Sequence, residues 1–189
     1  MNILKQFQNA SGPDIESGLL WYQKANETAQ ALAHKYNIEL KVVAGIIAAL
    51  SPACKFSRNL IDAEELIVKK ERARVVTYKA NKDKALRILY SGDPDFELNK
   101  KETSFKTYNF YRNILDPLDI NYVTIDRHIL SALDLGIKDI YTKNRYNHIR
   151  NLFIKIAAHL DLIPNQLQAI VWVSYKSINL KSQYLDVPF

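Results

Sequence analysis

The residue with the clearest chemical potential is Asp126, in the segment VTIDRHIL from Val123 to Leu130. It lies between an apolar run that is expected to be buried and a helix that is expected to begin at about Arg127. An aspartate at this position can accept hydrogen bonds from the first free backbone N–H groups of the helix and complement the helix dipole. The same carboxylate, held at the mouth of a cleft, would instead be available for chemistry. The residue type and its position leave both roles open.

Helical periodicity runs through nearly the whole chain. The stripe from Trp21 to Tyr36 follows Pro13, which suits the first turn of a helix, and the apolar residues from Val42 to Leu50 form a second stripe. Asn37 is a candidate N-cap for that second helix, and Ser51-Pro52 is a stop signal. Further helices are predicted at 56–67, 82–91, 103–115, 127–135, 144–160 and 164–177, with the longest loop at 92–101 and a short alternating piece at 120–125. The pattern predicts an all-α fold.

Length and composition favour a single globular domain. The chain has 189 residues, of which 48% are hydrophobic and 24% charged, and this balance is too apolar for disorder. One cysteine, Cys54, excludes a disulfide framework and a thiolate-ligated zinc or iron–sulfur site within one chain. The histidines have no metal-like spacing, so no metal or other cofactor is expected. We also expect no signal peptide or membrane span, a cytoplasmic location and a monomer.

The positive charge is concentrated in one segment. Residues 69–87 contain eight Lys or Arg and two acids, a net of 8 − 2 = +6, which equals the formal net charge of the whole chain. A local positive surface is the electrostatic footprint of a polyanion site. A solvated helical face with an excess of lysine is the alternative reading.

Four segments, in order, resemble the helix-hairpin-helix DNA glycosylase superfamily of the endonuclease III type. "IIAALSPACKFSRNLIDAEEL" is similar to the early helix and turn of that family, and "TYKANKDKALRILY" to its next element. A Lys-Thr pair at a helix start is followed, about twenty residues on, by an apolar stretch ending in Asp-x-His, and "IPNQLQAIVWVSYKS" resembles the closing helix. The resemblance covers about residues 25–177. The chain also looks more like small bacteriophage members of this fold than like housekeeping repair enzymes.

Two features depart from the family pattern. The hairpin from Lys101 to Lys106 reads KETSFK and lacks the glycines that let backbone N–H groups approach a DNA phosphate. The four-cysteine cluster that follows the last helix of endonuclease III is also absent from this sequence. The resemblance implies one domain with two lobes and a cleft between them: N- and C-terminal helices at about 13–52 and 144–177 form one lobe, and about 56–135 the other.

The resemblance also implies a chemistry and its residues. Asp126 would stabilise the oxocarbenium-like sugar that forms as a flipped base departs, and would activate water. Lys106 matches the lysine that forms a Schiff base in bifunctional members, which would add weak strand nicking; a phosphate contact is the alternative. His128 would hold the aspartate loop. The base pocket is assigned to His128 and four aromatic residues, Tyr108, Tyr111, Tyr122 and Phe56. The DNA contacts are assigned to six basic residues, Lys55, Arg58, Lys79, Lys82, Lys84 and Arg87.

The expected function is therefore a monofunctional DNA glycosylase that hydrolyses the bond to a modified or damaged base, with single- or double-stranded DNA as partner. Two alternatives stay open. One is a DNA-binding protein of the same fold without catalysis. The other is an enzyme of phage modified-base metabolism that alters a base in DNA without excising it. The sequence does not determine which base is recognised.

Overall fold

The described part of the chain is helical, as predicted. The computed structural model describes residues 2–99, 105–140 and 142–185, and no strand occurs among them. The helices, in chain order, are α1 (Ile3–Gln8), α2 (Gly12–Tyr36), α3 (Leu40–Leu50), α4 (Phe56–Lys69), α5 (Lys79–Ser91), α6 (Pro94–Asn99), α7 (Phe105–Leu115), α8 (Arg127–Ala132), α9 (Lys143–His159) and α10 (Pro164–Leu185). Short 3-10 turns occur at Lys70–Arg72 and Ile137–Ile140.

The chain divides into two compact units. The terminal unit comprises Met1–Lys24 and Leu118–Phe189, and the central unit comprises Ala25–Pro117. These limits differ from the lobes proposed from the sequence, because residues 25–52 fall in the central unit and 118–135 in the terminal unit. The reason is packing: α3 lies against α5 and α7, and α8 lies against α10.

The central unit is built around α3, whose residues from Val42 to Leu50 are all buried. A helix that is apolar on every side must be covered on every side, and α4, α5, α6 and α7 all contact it. Full burial of each large side chain, such as Ile46 or Ile47, stabilises the fold by about 1.5–3 kcal/mol. Gly45 allows α6 to come close, since a Cβ at this position would lie 2.5 Å from the Pro94 Cβ.

The terminal unit is organised around α10, which contacts α1, α8 and α9. Gly18 allows α2 to approach α10 closely, because a Cβ at Gly18 would lie 2.6 Å from the backbone N and Cα atoms of Ile170. A buried hydrogen bond from the Tyr22 hydroxyl to Gln168 Oε1, at 2.7 Å, links the same two helices. Within this unit, helix packing therefore combines close backbone contact with a satisfied polar pair.

Two local predictions differ from the structure. Asn37 is not the N-cap of α3: it has a φ of 50°, in the left-handed region that follows a helix end, and Glu39 takes the cap position. The loop predicted at 92–101 contains α6, because Asp93 Oδ1 accepts from the Phe96 N–H and Pro94 occupies the first helical position. The short alternating piece at 120–125 forms no strand, in keeping with the all-α prediction; it begins as a turn and reaches Asp126 without regular structure.

In the part of the chain that the structure describes, every helix is too short or too polar to cross a membrane.

Candidate functional site

Asp126 is placed by a buried segment and a short helix of the terminal unit. Val123, Thr124 and Ile125 are buried, and the buried Tyr146 hydroxyl donates to the Val123 carbonyl at 2.9 Å and accepts from the Ile125 N–H at 3.0 Å. One phenol thus hydrogen-bonds two buried backbone groups of this segment. The backbone turns into α8 immediately afterwards, which leaves Asp126 half-buried at the helix start.

The Asp126 carboxylate has two roles. It is the N-cap of α8, since Oδ1 accepts from the Ile129 N–H at 2.9 Å, so the capping role anticipated from the sequence is present. In addition, Oδ2 accepts from the indole Nε1–H of Trp172 on α10, at 3.2 Å. A carboxylate offers about four acceptor positions, so these two donors leave about two for a water or a substrate group.

Aromatic rings surround the Trp172 side chain. Trp21 and His128 both meet the Trp172 ring edge to face, with centroids 6.1 and 6.3 Å away, and His128 also lies 6.5 Å from the Tyr175 ring. The Lys176 ammonium lies 4.3 Å from the Trp172 ring centroid, within the range of a cation–π interaction. Asp126 therefore sits at the edge of an aromatic cluster that also carries a positive charge.

Two buried tyrosines of the terminal unit respond to the Asp126 charge. Burial raises the pKa of Tyr22 above its ordinary value, and the negative charge of Asp126 raises it further, while a hydrogen bond with Thr124 lowers it. Burial also raises the pKa of Tyr146, with a smaller contribution from Asp126. Both phenols remain neutral, so they can stabilise the segment before Asp126 as hydrogen-bonding groups but do not supply a base at neutral pH.

A pocket of the terminal unit is lined by residues other than Asp126 and its aromatic neighbours. Its volume is about 390 Å³, and its lining residues are Leu135, Asp139, Asn144, Arg145, His148 and Ile149. Two of its polar groups already have intramolecular partners: Asp139 Oδ2 accepts from the Gly136 N–H, and Arg145 donates to the Lys138 carbonyl. Asp126 does not line this pocket.

The residues assigned to the base pocket divide between the two units. Tyr122 and His128 belong to the terminal unit with Asp126, whereas Phe56, Tyr108 and Tyr111 belong to the central unit. Both of those tyrosines donate to Asp95, Tyr108 to Oδ1 at 2.9 Å and Tyr111 to Oδ2 at 3.0 Å. The pKa of Tyr111 is raised by burial and by that hydrogen bond. The Phe56 ring meets the Phe110 ring edge to face.

Lys106 lies in the central unit, half-buried in the first turn of α7. Residues 101–104 of the hairpin proposed before it lie outside the described residues. The structure thus locates the lysine on a helix start, as anticipated, without testing the hairpin.

The six basic residues assigned to DNA all belong to the central unit. Lys55 is exposed at the start of α4, and Lys84 lies on α5. Four contact other parts of this chain: Arg58 pairs with the buried Asp62 at 2.7 Å, Lys79 with Asp83 at 2.8 Å, Arg87 with the buried Glu97 at 2.9 Å, and Lys82 donates to the carbonyls of Glu71 and Ala73, both at 2.7 Å. Arg58, Lys82 and Arg87 therefore contribute to the fold as well as to the surface charge.

The described residues hold no group of three or more histidine, cysteine, aspartate or glutamate side chains placed to bind a metal ion.

Comparison with known proteins identifies the family. The model of DUF7178, a family of unknown function, matches residues 1–179. The chain belongs to this family. No curated protein and no solved structure matches it. The matched range of this DUF7178 member includes the whole central unit, with the basic segment, and the terminal unit up to residue 179, with Asp126 and Trp172.

The partners of Asp126 were missed by sequence reasoning. Trp172 was noted only as part of the closing helix, and neither Tyr146 nor Tyr22 was singled out. Nothing in their spacing links them to Asp126, since 46 residues separate it from Trp172. The one usable signal was composition: the chain has two tryptophans, and a tryptophan on a helix requires a partner for its N–H when it is buried.

Proposed function

We propose that this protein is a DNA glycosylase-like enzyme that hydrolyses the N-glycosidic bond of a modified or damaged base flipped from DNA. The observation that carries the proposal is the Asp126 carboxylate: it is half-buried and held by two N–H donors, and it keeps acceptor capacity beside an aromatic cluster. The order of motifs shared with the helix-hairpin-helix glycosylases supports the same assignment, including a two-lobed arrangement with a cleft.

The chemistry requires a fixed negative charge. As the base departs, positive charge develops on the sugar, and a carboxylate held below the ring stabilises that state more than it stabilises the substrate. The Ile129 N–H donates to Oδ1 of Asp126, which fixes the carboxylate at the start of α8. The remaining acceptor positions of the same carboxylate can orient the attacking water.

DNA binding is assigned to the basic segment of the central unit. The net charge of +6 in residues 69–87 supplies a sequence-independent attraction to phosphates, whose strength falls as salt rises. Lys55 and Lys79 are the best candidates for direct phosphate contacts, because they are exposed and neither pairs with a buried acid. Lys106 would add weak strand nicking if it reaches the sugar as a Schiff-base nucleophile.

The second candidate function is DNA binding without catalysis. It is favoured by the charge of the same basic segment, which attracts phosphates whether or not Asp126 is reactive. Alteration of a modified base without excision, the third hypothesis, would use the same carboxylate and differs only in its product.

The test compares the wild type with Asp126→Asn on a panel of unmodified and modified DNAs. Small products are identified by mass spectrometry, abasic sites by alkaline cleavage, and affinity by fluorescence anisotropy. Asparagine caps helices as well as aspartate does, so α8 should persist in the variant. We expect base release to fall by about 10²–10³ or more, as when a stabilising group is removed, with Kd changed by less than about threefold.

The matched control is Asp93→Asn, which makes the same substitution at the N-cap of α6 in the central unit. It should leave base release unchanged. Equal release by the wild type and Asp126→Asn would refute the role of Asp126. Binding without release from any DNA would favour the second candidate, and a changed base mass without an abasic site would favour the third.

A further inference from the structure

The hydrogen bond between Trp172 and Asp126 joins two distant parts of the sequence within the terminal unit. The indole N–H has no acceptor capacity, so in this pair the carboxylate must accept. At 3.2 Å, the bond is at the long end of the ordinary N–H···O range. The other oxygen of Asp126, Oδ1, accepts from the Ile129 N–H in the first turn of α8.

The indole itself is held by its neighbours. Trp21 on α2 and His128 on α8 contact its ring, and Lys176, one turn further along α10, places its ammonium over the ring face. Contacts from three helices leave the Trp172 side chain little rotational freedom. Because the donor cannot turn easily, the direction of its N–H bond is set by packing that does not depend on substrate.

We propose that Trp172 is the positioning residue of Asp126. It holds Oδ2 while the Ile129 N–H holds Oδ1, so that the plane of the carboxylate is fixed by one donor on each oxygen. This role rests on the proposed function, and it adds a residue to the site that has no assigned part in it. It applies to hydrolysis and to base modification alike, because both need the carboxylate in a defined orientation.

The kinetic test is Trp172→Phe, which removes the N–H and keeps an aromatic ring in the cluster. Loss of orientation by a fraction of an ångström to about 1 Å costs about 10- to 100-fold in rate. We expect kcat to fall by that factor with KM changed by less than about threefold, because the ring does not bind substrate in this assignment. Tyr90→Phe, at an exposed tyrosine of the central unit outside this ring cluster, is the control and should leave kcat within about threefold of the wild type. Trp21→Phe removes the other indole and is made for the spectroscopic test.

A spectroscopic test separates this inference from the proposed function. The chain has two tryptophans, so the proton NMR spectrum contains two indole N–H resonances. The variants Trp172→Phe and Trp21→Phe each remove one of them and so assign both. In Asp126→Asn the Trp172 resonance should move, because the single amide oxygen caps α8 and the NH2 group that replaces Oδ2 cannot accept from the indole N–H, and the Trp21 resonance should move much less. Thermal unfolding of each variant is measured beside it, so that a misfolded variant is recognised.

The outcomes are distinct. A Trp172 resonance that stays in place in Asp126→Asn, or a Trp172→Phe variant with unchanged kcat, overturns the positioning role even if Asp126 proves essential. If no DNA is acted on, the proposed function fails, and the resonance shift alone decides whether Trp172 holds the carboxylate.

Discussion

Replacement of Tyr146 by phenylalanine tests how the segment before Asp126 is held. The change removes one hydroxyl and leaves two buried backbone groups, the Val123 carbonyl and the Ile125 N–H, without that partner. Each buried polar group that loses its partner costs about 1–3 kcal/mol, and the retained ring limits any cavity. We expect a loss of about 2–4 kcal/mol, a large part of the roughly 5–15 kcal/mol that stabilises a typical domain.

The assay is urea denaturation followed by circular dichroism, with a thermal melt beside it. For a chain of this length the melting temperature should fall by at least about 4 °C. Amide hydrogen exchange of Ile125 should also become faster, since its hydrogen bond is lost. Tyr90→Phe is the control: it removes the same group from an exposed tyrosine whose hydroxyl donates to Glu71, and should change stability by less than about 0.5 kcal/mol. A Tyr146→Phe variant as stable as the Tyr90→Phe variant would refute the reasoning.

Two further predictions concern packing and alkaline pH. Gly18→Ala should lower the free energy of unfolding by about 1–3 kcal/mol in urea denaturation, because the new methyl group would press on the Ile170 backbone. Gly12→Ala is the control and should be nearly neutral, since nothing lies within 4 Å of the added atom. Equal effects of the two substitutions would contradict the close helix contact. A tyrosine whose pKa is raised by folding contributes stability that is complete below about pH 10, its unfolded pKa, and is lost as pH rises further, by up to about 1.4 kcal/mol per pH unit for each group. Phenolate absorbance during an alkaline titration should therefore show that some of the 11 tyrosines ionise only when the protein unfolds, and we expect Tyr22, Tyr111 and Tyr146, whose pKa values are raised, to be among them. Ionisation of all the tyrosines in the native protein would contradict this prediction.

The helices were predictable because their signals are local. The apolar stripe of α3 and the cap position of Asp126 depend on residues a few positions apart, and both were anticipated from spacing. The short helix α6 was missed although Asp93-Pro94 carries a cap and a first-turn proline, since six residues add little periodicity. Asn37 was misread because asparagine suits both a helix start and the left-handed turn after a helix end.

The site was predictable only in part. The residue type and position of Asp126 indicated a carboxylate at a helix start, but its second donor lies on α10 and the phenol that holds its segment lies on α9. For the same reason, the base pocket assignments could not show that Tyr108 and Tyr111 both donate to Asp95. Contacts of this kind depend on which helix faces pack together, and sequence separation carries no information about them.

By itself, the sequence determined the helical class of the described residues, the concentration of positive charge in residues 69–87 and the position of Asp126 at a helix start, because each follows from the properties of neighbouring residues. Only the tertiary structure decided the membership of the two units, the contacts of Arg58 and Arg87 with buried acids, and the meeting of Trp172 with Asp126. Those arrangements arise when apolar helix faces are buried against one another, which brings side chains together regardless of their distance along the chain.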